Sequence, residues 1–325
     1  SNVELRVRAI ADSRKLLVAD DVVDLENWRA ALDEQGKPWE LQDLYEARER
    51  LGLLNPTVID CTTNEDLASK YLDLLEGGFH IVAANKKANT MDIGYYRALR
   101  EVGARNFKKF LYETNVGAGL PVIDTLQALI RSGDRLETFE GILSGSLSMM
   151  LGLLDDGVPF SQAVEKAMSL GYTEPDPRDD LSGMDVARKL LIIAREVGLE
   201  LELDDIEVEP VVPLESLPGE GEGDLIAALA RFDPDFASSA DSAKAEDKVL
   251  RYVGKIEGRR CRVSIEETPR GAPLGAVRNG ENALVLHTRY YTPIPLVLRG
   301  YGAGAEVTAA GVFADLLRTA WRPLD

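Results

Sequence analysis

The sequence has only two cysteines and two histidines in 325 residues. Cys61 and Cys261 cannot form a disulfide framework, so a reducing cytoplasm is the simplest compartment and a cytoplasmic location is expected. Two histidines, His80 and His287, are too few for a His-rich zinc site. They also make a serine-protease triad, which needs a histidine base, a weak hypothesis. Any chemistry is therefore expected to use other side chains.

The sequence also lacks long apolar runs and an excess of positive charge. No stretch approaches the ~20 apolar residues of a membrane helix, and no charged-then-apolar signal peptide opens the chain. The 37 Lys and Arg residues against 55 Asp and Glu give a formal charge of −18. That charge repels nucleic acid and anionic membranes, so neither is expected as a partner.

The composition is otherwise that of a globular protein, 45% hydrophobic and 28% charged, and its length predicts about two domains. At the front, the strand-like runs Val3–Ala11, Thr57–Cys61 and Phe79–Ala84 alternate with helical spacing, which predicts βαβ units and a parallel sheet. A further strand is predicted at Phe110–Thr114. Ligands bind at the carboxyl ends of such strands. Three segments are therefore expected to face one crevice: Ala11–Lys15, Cys61–Asn64 and Ala84–Lys87.

The later part of the chain has a different pattern. Residues 204–224 hold eight acids and no base, which predicts a solvated surface loop. Beyond it, strand-like runs follow one another without helices: Val249–Ile256, Cys261–Ile265 and Ala283–Tyr291. An antiparallel sheet of this kind leaves one face to cover, and a two-fold partner is the commonest cover, so a homodimer or higher homo-oligomer is expected.

The predicted helix Ser182–Val197 is a candidate for catalysis. Asp185 and Lys189 are four residues apart and share one helical face, which would also suit an ordinary surface ion pair. The preceding loop, Glu174–Asp180, combines two prolines with four acids and suggests a bound cation. Lys86 follows a buried strand; if it faces the crevice, the two lysines share a pocket, and their repulsion makes either a better general acid.

Three further features could serve a ligand or only the fold. Residues 113–121 are either a glycine turn before a helix or a set of carbonyls that, with Glu113, surround a hard cation. Gly300–Gly304 either resembles half of a phosphate-binding turn or caps the last helix. Cys61 is either a nucleophile, as in a phosphorylating semialdehyde dehydrogenase, or a buried strand-end residue; the lack of a histidine base favours the second interpretation.

Six motifs resemble those of a known family: DCTTN (60–64), ANKKANT (84–90), ETNVGAGLP (113–121), GILSGSLS (141–148), GYTEPDPRDDLSGMDVARK (171–189) and RGYGAGAEVTAAGVFADLLRT (299–319). From Val3 to Leu324 the sequence resembles homoserine dehydrogenase, most closely the dehydrogenase half of bifunctional aspartokinase–homoserine dehydrogenases. The resemblance implies a Rossmann-like α/β dinucleotide-binding domain at 1–115 and 305–325. It also implies an α+β part with a catalytic domain at 116–248 and a dimerisation β segment at 249–304.

The resemblance further implies NAD(P)-dependent interconversion of L-aspartate 4-semialdehyde and L-homoserine in threonine and methionine biosynthesis. Lys189 is then the proton donor and acceptor, with Lys86 as the second active-site lysine, and Glu174 and Asp185 hold the substrate. The implied cofactor contacts are Thr62, Lys86 and Gly304. The implied ligands of a monovalent cation, usually sodium, are Glu113 and the carbonyls of Val116, Ala118 and Leu120. A second hypothesis is a non-catalytic dimerisation and regulatory part of a kinase–dehydrogenase, which has no need of a lysine pair beside four acids.

The family opens with a strand and a G-x-G-x-x-G turn that seats the cofactor pyrophosphate. Neither occurs in this sequence, so the dinucleotide-binding domain is expected to lack both, with Val3–Ala11 as its second strand. That strand runs into Asp12, which could accept from a ribose hydroxyl, as in NAD binding, or cap the turn. Ser13, Arg14 and Lys15 suit the extra phosphate of NADP, so NADP is the expected cofactor, with some use of NAD.

Overall fold

The computed structural model describes residues 3–219 and 223–320. Within these residues, eleven strands form three separate sheets. The strands are β1 (Ala9–Ala11), β2 (Leu16–Val18), β3 (Thr57–Asp60), β4 (His80–Ala83), β5 (Phe110–Leu111), β6 (Leu136–Ile142), β7 (Ile206–Val208), β8 (Lys248–Glu257), β9 (Arg260–Pro269), β10 (Glu281–Thr288) and β11 (Leu296–Tyr301). Leu324 and the rest of 321–325, which are part of the predicted dinucleotide-binding domain, lie outside the described residues.

Helices separate most of the strands in the first part of the chain and cover the later ones. They are α1 (Trp28–Gln35), α2 (Leu41–Arg50), α3 (Glu65–Ala68), α4 (Tyr71–Glu76), α5 (Lys87–Thr90), α6 (Ile93–Arg105), α7 (Val122–Arg131), α8 (Gly145–Leu154), α9 (Phe160–Ser169), α10 (Pro177–Leu181), α11 (Met184–Glu196), α12 (Leu225–Leu229), α13 (Asp233–Ala245) and α14 (Ala305–Ala320). None of the described helices combines the length and the apolar character needed to span a membrane.

The strands β3, β4 and β5 form the parallel sheet expected from the front of the chain. Strand β4 is central and buried, as its continuous apolar run Ile81–Ala83 predicts. Helices α4 and α6 pack against it through Tyr71 and Leu99. Helix α14 returns to the same sheet, where Thr57 Oγ1 and Thr319 Oγ1 lie 3.3 Å apart. The last described helix therefore packs on the first sheet.

The later strands form a six-stranded sheet in the order β11-β10-β6-β8-β9-β7, antiparallel except that β7 runs parallel to β9. Leu284 and Leu286 of β10 face the large apolar core that α8 and α11 build. Ala283 and Val285 alternate with them and face a smaller cluster on the other side. The predicted boundary at residue 249 thus runs between strands of one sheet. The predicted fold class, a Rossmann-like α/β domain joined to an α+β part, is confirmed.

The prediction that Val3–Ala11 is the second strand of the parallel sheet is wrong. Only Ala9–Ala11 is a strand, and it pairs antiparallel with β2 in a separate hairpin. Leu17 packs with Val23 and Leu32 in a small core of its own. The hairpin therefore satisfies its apolar side chains locally and does not pair with β3.

Two other segments also differ from their predicted form. Residues 204–224 are not solvated throughout, because β7 pairs with β9 and because Val211 and Val212 are buried. The predicted strand Phe110–Thr114 ends at Leu111 and continues as a single 3-10 turn, Glu113–Asn115. Because 204–224 is rich in acids, its composition did not reveal the buried apolar residues within it. In the second segment, a 3-10 turn takes the place of the end of the predicted strand.

Candidate active site

Lys86, Asp185 and Lys189 meet in one ion cluster. Helix α11 begins after Gly183, whose φ of +73° favours glycine, and it places Asp185 and Lys189 one turn apart. Lys189 Nζ lies 2.8 Å from Asp185 Oδ2 and donates to the Leu143 carbonyl at 2.7 Å. Lys86 Nζ lies 3.5 Å from Asp185 Oδ1. One aspartate therefore joins two lysines that are about a hundred residues apart in the sequence.

The charges in this cluster keep Asp185 ionised. Desolvation opposes its ionisation, but the ammonium groups of Lys189 and Lys86 outweigh that effect and hold the pKa of Asp185 well below its usual range. The Lys189 side chain is 12% exposed, whereas that of Asp185 is 47% exposed. The ammonium group is thus enclosed, while the carboxylate remains open to a small polar ligand.

Buried Asp60 organises the two strand ends that carry Thr62 and Lys86. Its Oδ1 accepts from the Thr62 backbone N–H at 2.8 Å, and its Oδ2 accepts from the Tyr71 hydroxyl at 2.6 Å and the Asn85 amide at 3.0 Å. A single carboxylate thereby joins the carboxyl ends of β3 and β4. Sequence reasoning missed Asp60; the available signal was an acid next to the last residue of the predicted strand Thr57–Cys61.

Two further buried amides connect the sheet to α11. Asn115 Nδ2 donates to the Ala83 carbonyl at 2.8 Å, and Asn115 Oδ1 accepts from Asn89 at 2.9 Å. The fully buried guanidinium of Arg195, at the end of α11, donates to the Asn89 carbonyl at 3.0 Å. The helix that carries Lys189 is therefore tied to α5, which directly follows Lys86. Sequence reasoning missed these residues because isolated Asn and Arg residues carry no periodic signal.

The acidic loop before α11 lies beside the ion cluster. Asp180 accepts from the Ser146 hydroxyl at 2.5 Å and from the Glu174 backbone N–H at 2.9 Å. Desolvation raises the pKa of Asp180, and the neighbouring charges of Glu174 and Asp185 raise it further. The Glu174 side chain is exposed. Within residues 3–219 and 223–320 no group of three or more His, Cys, Asp or Glu side chains is arranged for a metal ion.

Glu113 is a buried carboxylate at the amino end of α7. Its two oxygens accept from the backbone N–H groups of Ile123 at 2.7 Å and Asp124 at 2.9 Å. Burial raises the pKa of Glu113 to about 7, and the charges of Asp124 and Asp315 act in the same direction. The residues whose carbonyls are predicted to join it lie in the adjoining turn: Val116, Ala118 and Leu120.

Of the predicted cofactor contacts, Thr62 and Gly304 lie at the edge of the sheet that carries Lys86. Thr62 follows β3, and Gly304, with φ +126°, precedes α14. A Cβ at Gly311 in α14 would lie 2.6 Å from Thr114 Cγ2, so the first turns of this helix pack on the segment that follows β5. This places the start of α14 at the carboxyl edge of the parallel sheet.

Ser13 and Arg14 lie in the turn of the β1–β2 hairpin and are exposed. Asp12 Oδ1 accepts from the backbone N–H groups of Arg14 at 2.7 Å and Lys15 at 2.6 Å, so Asp12 caps this turn. The strand pairing expected to bring Ser13 and Arg14 to the crevice is absent among the described strands.

Cys61 and the histidines do not form a nucleophilic centre. Cys61 follows β3 but is exposed, so the expectation that it is buried is wrong. Desolvation together with the charge of Asp60 raises its pKa, which disfavours the thiolate. His80 lies at the opposite end of β4, where its ring nitrogens bind the Asn55 side chain and the Lys109 backbone N–H. His287 lies within β10. The geometry therefore gives no support to a thiol-based dehydrogenase.

A Rossmann-like sheet with a lysine–carboxylate cluster at its carboxyl edge has the arrangement of a dinucleotide-binding α/β protein. Comparison with known proteins identifies the family. The family model "Homoserine dehydrogenase, NAD binding domain" matches residues 1–113, and the model "Homoserine dehydrogenase" matches residues 121–317. The chain belongs to the homoserine dehydrogenase family.

Similar proteins include a bifunctional aspartokinase/homoserine dehydrogenase of Haemophilus influenzae, 52% identical over 98% of this chain and 39% of that protein. The chain therefore spans about two fifths of the length of this curated relative. A Candida auris crystal structure of a protein of unknown function has a TM-score of 0.90 at 36% identity, covering 98% of this chain and 91% of that one. A hyperthermophilic archaeal homoserine dehydrogenase in complex with NADPH shares the fold, with a TM-score of 0.72 at 22% identity over 98% of this chain and 88% of that one.

Proposed function

We propose that this chain catalyses the reversible reduction of L-aspartate 4-semialdehyde to L-homoserine with NAD(P)H, a step toward threonine and methionine. The observation that carries the proposal is the cluster of Lys86, Asp185 and Lys189 at the carboxyl edge of the parallel sheet. Reduction of an aldehyde requires a hydride at carbon and a proton at oxygen in one place. Membership of the family supplies the identity of the substrate pair.

The sheet edge fits a bound dinucleotide. The Thr62 backbone is held by Asp60, and Gly304 stands at the amino end of the sixteen-residue helix α14, which favours negative or electron-rich groups. Thr62, Lys86 and Gly304 would hold the cofactor there. When bound, the nicotinamide supplies the hydride. The remaining chemistry belongs to the side chains of this chain.

Lys189 would move the proton. An ammonium group has three N–H donors, and Asp185 and the Leu143 carbonyl engage two of them in the described structure. The third N–H can donate to the oxygen that becomes the homoserine hydroxyl. Asp185 lowers the cost of keeping this ammonium enclosed, and Lys86 adds positive charge where the alkoxide forms.

Glu174 and Asp185 would hold the substrate. Both carboxylates are accessible, and both lie close enough to Asp180 to raise its pKa, so the two are near one another. The exposed Glu174 carboxylate can pair with the α-ammonium group of the amino acid. Asp185 can accept from a substrate polar group while it still binds the lysines. With the two carboxylates holding the polar groups of the substrate, Lys86 and Lys189 can interact with the reacting oxygen.

The Glu113 turn would bind a monovalent cation, with sodium as the expected ion. A buried carboxylate near the charges of Asp124 and Asp315 is electrostatically strained, and a cation would relieve that strain. Glu113 and the carbonyls of Val116, Ala118 and Leu120 are hard oxygen donors, which suit such an ion. Sodium chloride should raise the thermal unfolding midpoint more than choline chloride at equal ionic strength. Glu113→Gln should remove the difference, and an equal response to both salts would contradict the site.

NADP is the expected cofactor, and the turn at Ser13 and Arg14 is the proposed site of phosphate recognition.

A homodimer is the proposed assembly. In its support, the loop after β10 exposes Tyr290 and Ile294, which are 60% and 79% exposed, at the end of the six-stranded sheet. Light scattering of the intact protein at micromolar concentration would contradict the dimer by giving a monomer mass.

The decisive test is homoserine-dependent reduction of NADP by the intact protein, followed at 340 nm. We expect turnover that requires homoserine and is not supported by serine or threonine. Full dependence on Lys189 would separate catalysis by this chain from the alternative, a non-catalytic dimerisation or regulatory part. Absence of any turnover, with bound homoserine detected, would favour that alternative.

A further inference from the structure

Asn282 is a buried side chain with no visible structural role. It is fully buried, and neither Oδ1 nor Nδ2 has a hydrogen-bond partner. Burying an unpaired amide destabilises the fold, and native proteins rarely retain one without another reason. Its neighbours on the same sheet face, Leu284 and Leu286, are apolar members of the main core. Folding alone would be better served by a leucine at this position.

Asn282 lies between the two parts of the proposed active site. The ladder between β10 and β6 pairs Ala283 with Ile142, so the next position sets Asn282 beside Leu143, whose carbonyl anchors the candidate proton donor. On its other side, Asn282 pairs with Gly300 of β11, where the glycine turn begins. The amide therefore connects the proton-donor side with the cofactor side.

The amide also lies directly against the glycine turn. A Cβ at Gly302 would lie 1.9 Å from Asn282 Cγ and 2.0 Å from its Nδ2. Gly302 does not adopt a positive φ, so the close approach of the amide, not backbone conformation, explains the glycine. Gly304, the proposed cofactor contact, follows two residues later.

We propose that Asn282 is a positioning residue for the cofactor, and that its carboxamide holds the Gly302–Gly304 segment in the arrangement that binds the dinucleotide. An amide offers two donors and one acceptor, which match the peptide groups of this segment. A small shift of the turn suffices to bring those groups into hydrogen-bonding geometry, because the amide already touches Gly302. Hydrogen bonds that form only in the bound arrangement stabilise it relative to the arrangement without dinucleotide. This inference rests on the proposed function, in which Gly304 contacts NAD(P)H.

The test compares Asn282→Leu with Ser148→Ala in the intact protein. Leucine keeps the approximate shape of the amide and removes its polar atoms. Ser148 is a matched control, since its buried hydroxyl in α8 also has no partner. We expect Asn282→Leu to raise the Kd for NADPH at least tenfold, measured by fluorescence titration, while the unfolding midpoint without added dinucleotide stays the same or rises. We expect Ser148→Ala to leave the Kd unchanged.

A purely structural Asn282 would give the opposite pattern, a lower unfolding midpoint with an unchanged Kd, and that result would overturn the proposal. If Asn282→Leu does not fold, Asn282→Ala removes the amide without adding volume; its Kd should also rise tenfold, and a wild-type Kd would overturn the proposal. If the wild-type protein does not bind NADPH, the proposed function fails and this inference with it. If the wild type binds and the Asn282 variants bind equally well, this inference alone fails.

Discussion

Replacement of Lys189 by alanine should abolish turnover and leave the fold intact. Loss of a general acid costs ~10²–10⁴-fold in kcat, which corresponds to about 3–5 kcal/mol of transition-state stabilisation. The structural cost is smaller. The Leu143 carbonyl loses a donor, but Asp185 keeps Lys86 at 3.5 Å and is 47% exposed, so water can replace the missing ammonium. We expect the free energy of unfolding to fall by only about 1–2 kcal/mol.

Lys87→Ala is the matched control for this variant. Lys87 adjoins Lys86 but points to Glu65, 3.2 Å away, and its side chain is 37% exposed. The assay is homoserine-dependent NADP reduction at the pH optimum, with the unfolding midpoint measured on the same samples. Lys87→Ala should retain near wild-type kcat. If Lys189→Ala retains more than about a tenth of the wild-type kcat, Lys189 does not move the proton.

Three further predictions concern substrate, cofactor and stability. Glu174→Gln should raise the KM for homoserine about tenfold with little change in kcat, because the ammonium loses a charged partner; an unchanged KM would remove Glu174 from the substrate site. Replacing Arg14 and Lys15 together by alanine should raise the KM for NADP much more than that for NAD, and equal effects would mean that they do not bind the phosphate. Burial lowers the pKa of His80 to about 4, whereas the unfolded chain takes up this proton near pH 6.5. The free energy of unfolding should therefore fall as the pH drops through this window, by up to about 3 kcal/mol at pH 4. Urea titrations of wild type and His80→Gln should show this dependence only in the wild type, and matching pH profiles would refute the assignment.

Local sequence patterns determined much of the fold and one side of the candidate site. The buried run that forms β4 and the helical spacing that forms α11 arise from interactions between near neighbours along the chain, so periodicity alone predicted them. The same spacing placed Asp185 and Lys189 on one helical face. The motif resemblance identified the family, because a long specific run such as EPDPRDDLSGMDVARK can be compared residue by residue without knowledge of any tertiary contact.

Only the tertiary structure decided which distant residues meet. Strand propensity predicted Val3–Ala11 as a strand, but it does not specify the strand with which this segment pairs. In the structure, β1 pairs with β2 and not with a strand of the parallel sheet. The 3.5 Å approach of Lys86 to Asp185 and the unpaired amide of Asn282 both depend on strands and helices brought together from different parts of the chain. Hydrogen bonding and desolvation are set by this surrounding packing, which a linear pattern of residues does not specify.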